Sequence, residues 1–210
     1  MTSDVFIGII SYFPDNAYRN ERIARCQALI AKCDELFGLP IVAIAQNWQG
    51  EVASANMTAL AFPKLGITSA RKTLWEYFKH SAHEWMICFD DDCELQGTRE
   101  DGQRLIGFLR SQTGGYFCGK KNEFKLFALH RSLARMQDVP DLDVGKGTGI
   151  EDLGYFELLR RRFPGLALAY DTGTLQETSN WANDPTSTWH RRGIAELLRK
   201  TTDYVERELK

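Results

Sequence analysis

The sequence predicts an α/β fold with a mostly parallel central sheet, and three observations carry that prediction. Short apolar stretches alternate with longer stretches of helical spacing over the first 95 residues. The stretch from Trp85 to Phe89 is apolar without a break, as expected of a strand covered on both faces. Three aspartates, Asp90, Asp91 and Asp92, follow it directly. Because ligands of open α/β sheets bind where the strands end, the aspartates also indicate a site.

The elements of the first half follow from β-branched apolar runs, helical spacing and turn residues. They are a first, central strand over 5–12, a helix over 19–37, strands over 40–45 and 59–62, and a helix over 70–80. Thr68 or Ser69 is the expected N-cap of the last of these helices. The aspartate strand comes next.

The second half has a weaker pattern of the same kind. It predicts a helix over 99–111, strands over 116–118 and 124–129, a helix over 151–163, a strand over 166–170 and a helix over 191–210. The glycine-rich stretch 138–149 and the tryptophan-containing stretch 180–189 are expected to be loops. Since the sequence has no linker, we expect a single domain over 1–210.

Composition excludes several classes of protein. The formal net charge of -2 gives no overall attraction to nucleic acid or an anionic membrane, so any basic surface must be local. The 5 cysteines include no CxxC pair, which favours reduced thiols and a cytoplasmic location. The apolar run at 5–10 is too short for a signal peptide or a membrane span.

The aspartates have the chemistry of a metal site. Successive strand side chains point to opposite faces, so Asp90 and Asp92 should share one face and Asp91 the other. Two carboxylates on one face suit Mg²⁺ or Mn²⁺ holding the phosphates of a substrate. The alternative is a polar, solvated turn after a core strand.

Two further stretches should meet the aspartates at the same edge of the sheet. One ends the first strand with Ser11, Tyr12 and Phe13 and continues to Arg19, Arg22 and Arg25. The other, 66–71, is a glycine turn ending in Arg71, and it enters a helix whose N-terminus can face an anion. The alternatives are a solvated helix face for the three arginines and a simple turn at Gly66.

These three stretches together resemble the GT-A glycosyltransferase family. The resemblance implies a Rossmann-like sheet, a metal ion and a nucleotide-sugar donor, by family habit a UDP-sugar. It implies that 1–95 binds the donor and that 96–210 binds the acceptor and carries the chemistry. By the Asp-x-Asp motif, Asp92 would bind the metal and Asp90 the ribose or the waters of the metal. The residues implied at the nucleotide are Ser11, Tyr12, Phe13, Arg19, Arg71, Asp90 and Asp91.

The resemblance continues at 147–152, which is similar to the Gly-Gly-Glu-Asp stretch of galactosyltransferase-like members. It implies Asp152 as the general base and Glu151 as a residue that grips the acceptor, although Ile150 stands where the second glycine is expected. The alternative is ordinary helix chemistry, because acidic residues favour the N-terminal end of a helix dipole. Some members supply a C-terminal histidine to the metal, which implies His190; the alternative is an exposed histidine.

The acceptor is expected to be a hydroxyl group. More loosely, the chain is similar to small phage glycosyltransferases that modify hydroxymethylated pyrimidines in DNA and are associated with base-oxidising dioxygenases. A flipped base would need aromatic and basic partners, and the candidates are Trp181, Trp189, Lys120 and Lys121. A protein, glycan or small-molecule acceptor stays open, as does the stereochemistry. A metal-dependent nuclease or phosphotransferase and a non-catalytic nucleotide-binding module are the rival functions.

Overall fold

The computed structural model describes residues 4–13, 15, 17–62, 66–91, 93–120, 123–140, 151–179 and 194–210. Its strands are β1 (Val5–Tyr12), β2 (Ile41–Gln46), β3 (Met57–Phe62), β4 (Trp85–Asp90), β5 (Cys93–Gln96), β6 (Tyr116–Lys120), β7 (Glu123–His130), β8 (Ala167–Leu168) and β9 (Gln176–Ser179). Its helices are α1 (Arg19–Leu36), α2 (Ile67–His80), α3 (Arg99–Ser111), α4 (Arg131–Met136), α5 (Glu151–Arg162) and α6 (Ile194–Glu208).

A seven-stranded sheet forms the centre of the fold, in the order β3-β2-β1-β4-β7-β6-β8. Strands β3, β2, β1 and β4 are parallel, and β7 runs antiparallel to both β4 and β6. Strands β5 and β9 form a separate antiparallel pair. The predicted α/β class with a mostly parallel central sheet is therefore confirmed, together with the element order of the first 95 residues.

Apolar residues fill both faces of the sheet, which is why the central strands have no polar alternation. One face, called the α1 side below, packs against α1 and α3, and the other, the α2 side, packs against α2, α4 and α5. Helix α2 lies very close to β1. A Cβ atom at Gly8 would be 2.7 Å from a methyl group of Leu74, so only glycine allows this approach.

Some predicted boundaries are wrong. Helix α2 begins at Ile67, not near residue 70, and its N-cap is Gly66 in the left-handed region at φ 87°, with no side-chain capping bond. Thr68 and Ser69 therefore lie inside the helix. The predicted strand over 166–170 is reduced to the two residues of β8. Strands β5 and β9 and the short helix α4 were not predicted, because each is six residues or fewer and partly polar.

None of the described helices is long and apolar enough to cross a membrane. All five cysteines lie in the described part of the chain, and none of them forms a disulfide.

Candidate functional site

The carboxyl ends of three parallel strands meet at one edge of the sheet. Tyr12, at the end of β1, is in register with Gln46, at the end of β2. Asp90, at the end of β4, is in register with Ile10 of β1. The predicted convergence of the first strand and the aspartate strand is therefore present in the structure.

Asp91 joins the ends of β1 and β4 on the α1 side. It is 3 % exposed, and one carboxylate oxygen accepts hydrogen bonds from the Ser11 hydroxyl at 2.8 Å and the main-chain N–H of Tyr12 at 3.2 Å. The other oxygen accepts from Arg22 of α1 at 2.6 Å. Burial raises the pKa of Asp91, and Arg22, Ser11 and Tyr12 act in the opposite direction. Both oxygens are occupied within the protein, so Asp91 and Ser11 act as structural connectors here.

Asp90 has the opposite environment. Its carboxylate accepts a hydrogen bond from Arg71 at 2.9 Å, on the α2 side of the sheet. The side chain of Arg71 is only 3 % exposed, whereas that of Asp90 is 35 % exposed. Adjacent aspartates thus face opposite sides of the strand, as predicted for Asp90 and Asp91. The buried Arg71 holds Asp90 from the α2 side, and part of the Asp90 carboxylate faces solvent. Asp92 lies outside the described residues.

Arg19 joins the two loops that follow β1 and β2. Its guanidinium donates to the main-chain oxygens of Phe13 and Asn47, each at 3.0 Å, and to the carboxylate of Glu51. The Asn47 amide also donates to the Phe13 oxygen at 2.8 Å. Burial acts to raise the pKa of Glu51, but bonds from the Gln49 main chain and from Arg19 outweigh it and lower that pKa. The interpretation of Arg19 and Arg22 as a solvated face of α1 is therefore wrong.

The other residues predicted at the end of β1 differ in accessibility. Phe13 is 1 % exposed and belongs to the core on the α1 side, so we assign its ring to packing. Tyr12 is half-buried. Arg25 pairs with Glu21 on the surface of α1, in the way the solvated-face interpretation expects. Of the two aromatic residues at the end of β1, Tyr12 has the ring more accessible to a ligand.

Helix α5, which begins with Glu151 and Asp152, packs against α2. The ring of Tyr155 meets Trp75 edge-on with centroids 5.3 Å apart, and both side chains are fully buried. Tyr155 is one turn from Glu151 along α5, and Trp75 is one turn from Arg71 along α2. The contact therefore joins the second turn of α5 to the third turn of α2.

The far ends of α2 and α5 lie together as well. Arg162, at the end of α5, donates to the side chain of Gln137 at 2.6 Å, and Gln137 follows α4. Arg135 of α4 in turn donates to the main-chain oxygen of Lys79, near the end of α2. The two helices consequently run in the same direction, and both begin at the edge that carries Asp90. The side chains of Glu151 and Asp152 lie outside the described residues.

Strand β9 leads the chain back to the aspartates. Ser179, its last residue, pairs with Cys93, which directly follows Asp92. The stretch that contains Trp181, Trp189 and His190 therefore begins beside the aspartate turn. These three residues lie outside the described part of the chain, as do Lys121 and the side chain of Lys120.

Five arginines of α4 and α5 have partners within the chain. Arg131 and Arg135 donate to main-chain oxygens at the end of α2. Arg160 and Arg161 pair with Glu157, and Arg162 contacts Gln137. Arg131, Arg135 and Arg162 thereby link different elements, whereas the bonds from Arg160 and Arg161 to Glu157 lie within α5.

The described residues test the metal prediction only in part. They include no group of three histidine, cysteine, aspartate or glutamate side chains that could hold a metal ion. Asp90 offers one partly exposed carboxylate at the correct edge, whereas both oxygens of Asp91 are taken up. The ligand set of Asp90, Asp92 and His190 stays a prediction.

Comparison with known proteins addresses the fold. No protein-family model matches the sequence, and no curated protein sequence matches it. A protein from Desulfovibrio desulfuricans assigned as a nucleotide-diphospho-sugar transferase is similar over 98 % of both chains, with a TM-score of 0.55 and 13 % identity. The fold is that of the nucleotide-diphospho-sugar transferases. At this identity, the likeness to that transferase establishes the architecture and nothing finer.

Two further structures share this transferase fold. The mannosyltransferase PcManGT from Pyrobaculum calidifontis, in complex with GDP-Man and Mn²⁺, has a TM-score of 0.53 and 16 % identity over 80 % of this chain and 55 % of its own. TarS 1-349 from S. aureus, in complex with UDP, has a TM-score of 0.50 and 10 % identity over 75 % of this chain and 54 % of its own. The chain therefore spans about half the length of these two proteins.

Sequence reasoning missed two connections at this edge. Arg22 was predicted to lie near the aspartates, but nothing in the sequence indicated that Asp91 is its partner. Tyr155 carried no signal, because a tyrosine in an amphipathic helix is indistinguishable from any other core residue.

Proposed function

We propose that this protein is a metal-dependent glycosyltransferase that moves a sugar from a nucleotide-diphosphate sugar to a hydroxyl acceptor. The observation that carries the proposal is Asp90. Its carboxylate is held by the buried Arg71 and is one-third exposed, at the carboxyl end of β4 in a nucleotide-diphospho-sugar transferase fold. Ligands of α/β sheets bind at this edge. A carboxylate fixed by an arginine yet open to solvent is poised to bind a ligand rather than to support the core.

The proposed metal ligands are Asp92, Asp90 and His190, with Mn²⁺ or Mg²⁺ as the ion. The ion would supply charge stabilisation for the departing diphosphate. Arg71 holds the Asp90 carboxylate in one orientation, which reduces the reorganisation needed when a ligand arrives. The pairing of Ser179 with Cys93 supports His190, because the segment that carries it starts beside Asp92.

The proposed general base is Asp152, with Glu151 gripping the acceptor. In the transfer step, the acceptor oxygen forms a bond to the anomeric carbon and gives its proton to Asp152. The bond from the anomeric carbon to the diphosphate oxygen breaks, and the nucleoside diphosphate leaves with that electron pair. The shared direction of α2 and α5 supports this assignment, because both helices begin at the edge that carries Asp90.

The proposed donor is a UDP-sugar. One protein of this fold was solved with UDP and another with GDP-Man and Mn²⁺, so a uridine and a guanosine donor must both be tested. On this chain, Tyr12 offers a half-buried ring at the end of β1. The protein surface that supports the nucleotide would be formed by Ser11, Asp91, Phe13 and Arg19, through the contacts described above.

The acceptor we propose to test first is the hydroxymethyl group of a modified pyrimidine in DNA. The proposed DNA contacts are Lys120, Lys121 and the aromatic residues Trp181 and Trp189. A base would leave the stack to reach the anomeric carbon. Protein, glycan and small-molecule hydroxyls are the other acceptors of the test.

The experiment incubates the protein with Mn²⁺, radiolabelled UDP- or GDP-sugars, and hydroxymethylated or unmodified DNA. We expect label to pass to hydroxymethylated DNA and to be lost in the Asp92→Ala and Asp152→Asn variants. Release of free sugar from one donor, with no label on DNA, would keep the transferase and reject the DNA acceptor. Metal-dependent cleavage of the DNA without any sugar nucleotide would reject the transferase in favour of a nuclease.

A further inference from the structure

A second buried carboxylate lies on the far side of the aspartate turn, and the proposed function does not yet use it. We infer that Glu177 of β9 is a positioning residue that anchors Cys93, directly after the aspartates, to β7 and thereby supports binding of the metal and the diphosphate. This inference rests on the proposed function. It adds a residue that would touch neither the metal nor the diphosphate. Glu177 would act through Cys93, on one side of the aspartates, and through Leu126 of β7.

The contacts of Glu177 reach two other segments. Its side chain is buried, at 6 % exposure, and one oxygen accepts from the Cys93 thiol at 2.7 Å. The other oxygen accepts from the main-chain N–H of Leu126 in β7. One carboxylate therefore ties β9 to β5 and to β7. Burying a carboxylate is costly unless it forms such bonds, so an apolar side chain would be the simpler choice for packing alone.

Cys93 is the first residue after the aspartate turn. The turn therefore has a fixed point on each side. Asp91, before Asp92, is held by Arg22 and Ser11, and Cys93, after it, is held by Glu177. Both residues that flank Asp92 in the sequence are therefore anchored to other parts of the fold. Preorganised ligands bind more tightly because less conformational entropy is lost on binding.

Leu126 explains why a carboxylate suits this position. Its φ of 51° lies in the left-handed region, which is unusual for a residue other than glycine. It immediately precedes Phe127, where β7 begins to pair with β4. The bond from the Leu126 N–H to Glu177 links this irregular backbone to β9. Glu177 thereby relates β9, and the segment that follows it, to the central sheet.

Two substitutions separate hydrogen bonding from charge. In Glu177→Gln, the amide oxygen can accept from Leu126 and the amide N–H can donate to the Cys93 sulfur, so both links survive. Glu177→Leu has a similar volume and loses both links. The matched control is Asp101→Asn, because Asp101 is 4 % exposed and binds Thr174 near the start of β9, away from the aspartates.

The experiment measures UDP affinity by calorimetry in the presence of Mn²⁺, and the melting temperature, for the wild type and the three variants. We expect Glu177→Leu to weaken binding about tenfold, the scale seen for residues that support metal ligands. Glu177→Gln should restore affinity to within about threefold of the wild type. Asp101→Asn should lower the melting temperature without changing affinity. Wild-type affinity in Glu177→Leu, or an equal loss in Asp101→Asn, would overturn the inference.

A second readout does not depend on UDP binding. Hydrogen exchange at the amides of 93–96 and 176–179 should accelerate at least about tenfold in Glu177→Leu and stay close to wild type in Glu177→Gln. If the wild type fails to bind UDP, the proposed donor site is wrong, and exchange alone decides the role of Glu177 in fixing the turn. Unchanged exchange in Glu177→Leu overturns that role. The two failures are therefore distinguishable.

Discussion

The two sides of the strand that ends in the aspartates make opposite use of the same residue type. On the α1 side, Asp91 is buried and its two oxygens accept three hydrogen bonds. On the α2 side, Asp90 accepts one bond from Arg71 and is one-third exposed. Strand alternation alone separates the two, since the residues are adjacent. At this edge, the carboxylate on the α1 side is thus enclosed by the protein, and the carboxylate on the α2 side is partly open to solvent.

The difference teaches that a run of acidic residues should not be treated as one site. An aspartate whose oxygens are saturated by the protein contributes to folding, and one whose arginine leaves it partly exposed can contribute to binding. The same division applies to the arginines, because Arg22 and Arg19 close loops on the α1 side, whereas Arg71 supports a carboxylate that reaches solvent. Each prediction below tests this contrast.

The largest expected effect is on stability, in the pair Asp91→Asn and Asp90→Asn. An asparagine at position 91 would turn its amide N–H groups toward Arg22 or toward Ser11 and Tyr12, all of which are donors. We expect a loss of about 3 kcal/mol in the free energy of unfolding, typical of breaking a buried ion pair. An asparagine at position 90 can keep its oxygen on Arg71, so its cost should stay below about 1 kcal/mol.

Urea denaturation measures both values, with the slope of each transition checked for equality. A cost of less than about 1 kcal/mol for Asp91→Asn would mean that the α1 side is not closed in solution. Equal costs for the two variants would remove the contrast altogether.

A smaller effect should appear in the pH dependence of the Arg19 contacts. The pKa of Glu51 is lowered in the folded state, so its stabilising contribution is present above its ordinary value of 4.5 and is lost as the pH falls through the lowered pKa. We expect the wild type to lose more stability than Glu51→Gln between about pH 5 and pH 3, by less than about 1 kcal/mol. Parallel stability curves for the two proteins would contradict the role of this bond.

The smallest effect is chemical and leaves stability unchanged. Burial raises the pKa of the Cys26 thiol to about 12, and the negative charge of Asp91 adds to this. In the native protein, iodoacetamide should therefore modify the half-buried Cys118 well before Cys26. Mass spectrometry of peptides sampled over time measures the order. Early modification of Cys26 would show that the α1 side opens readily.

The sequence was sufficient, for identifiable reasons, for the central sheet and for the edge at which β1 and β4 end. The apolar run from Trp85 to Phe89 could only be a buried strand, and the period of two then fixed the opposite directions of Asp90 and Asp91. Those properties are local. The lengths of β1, α3 and β4 were predictable for the same reason.

What the sequence could not supply depends on contacts between distant residues. The bond from Arg22 to Asp91 joins positions 69 residues apart, and the bond from Cys93 to Glu177 joins positions 84 apart. Helix α2 starts directly after Gly66, whose φ is positive. Glycine adopts this conformation readily, whereas neither Thr68 nor Ser69 needs to adopt it. Strands β5 and β9 gain their stability from each other, so neither carries a pattern of its own.

The most direct test of the open α2 side is calorimetric titration of UDP into the wild type with and without Mn²⁺, beside Asp90→Asn. Glu51→Gln is the matched control, because Glu51 is a carboxylate at the same edge that serves the α1 side. We predict Mn²⁺-dependent binding in the wild type and the control, and a loss of at least about tenfold in Asp90→Asn. Equal affinity in all three proteins, or UDP binding that is independent of Mn²⁺, would contradict the assignment of Asp90 to the donor site.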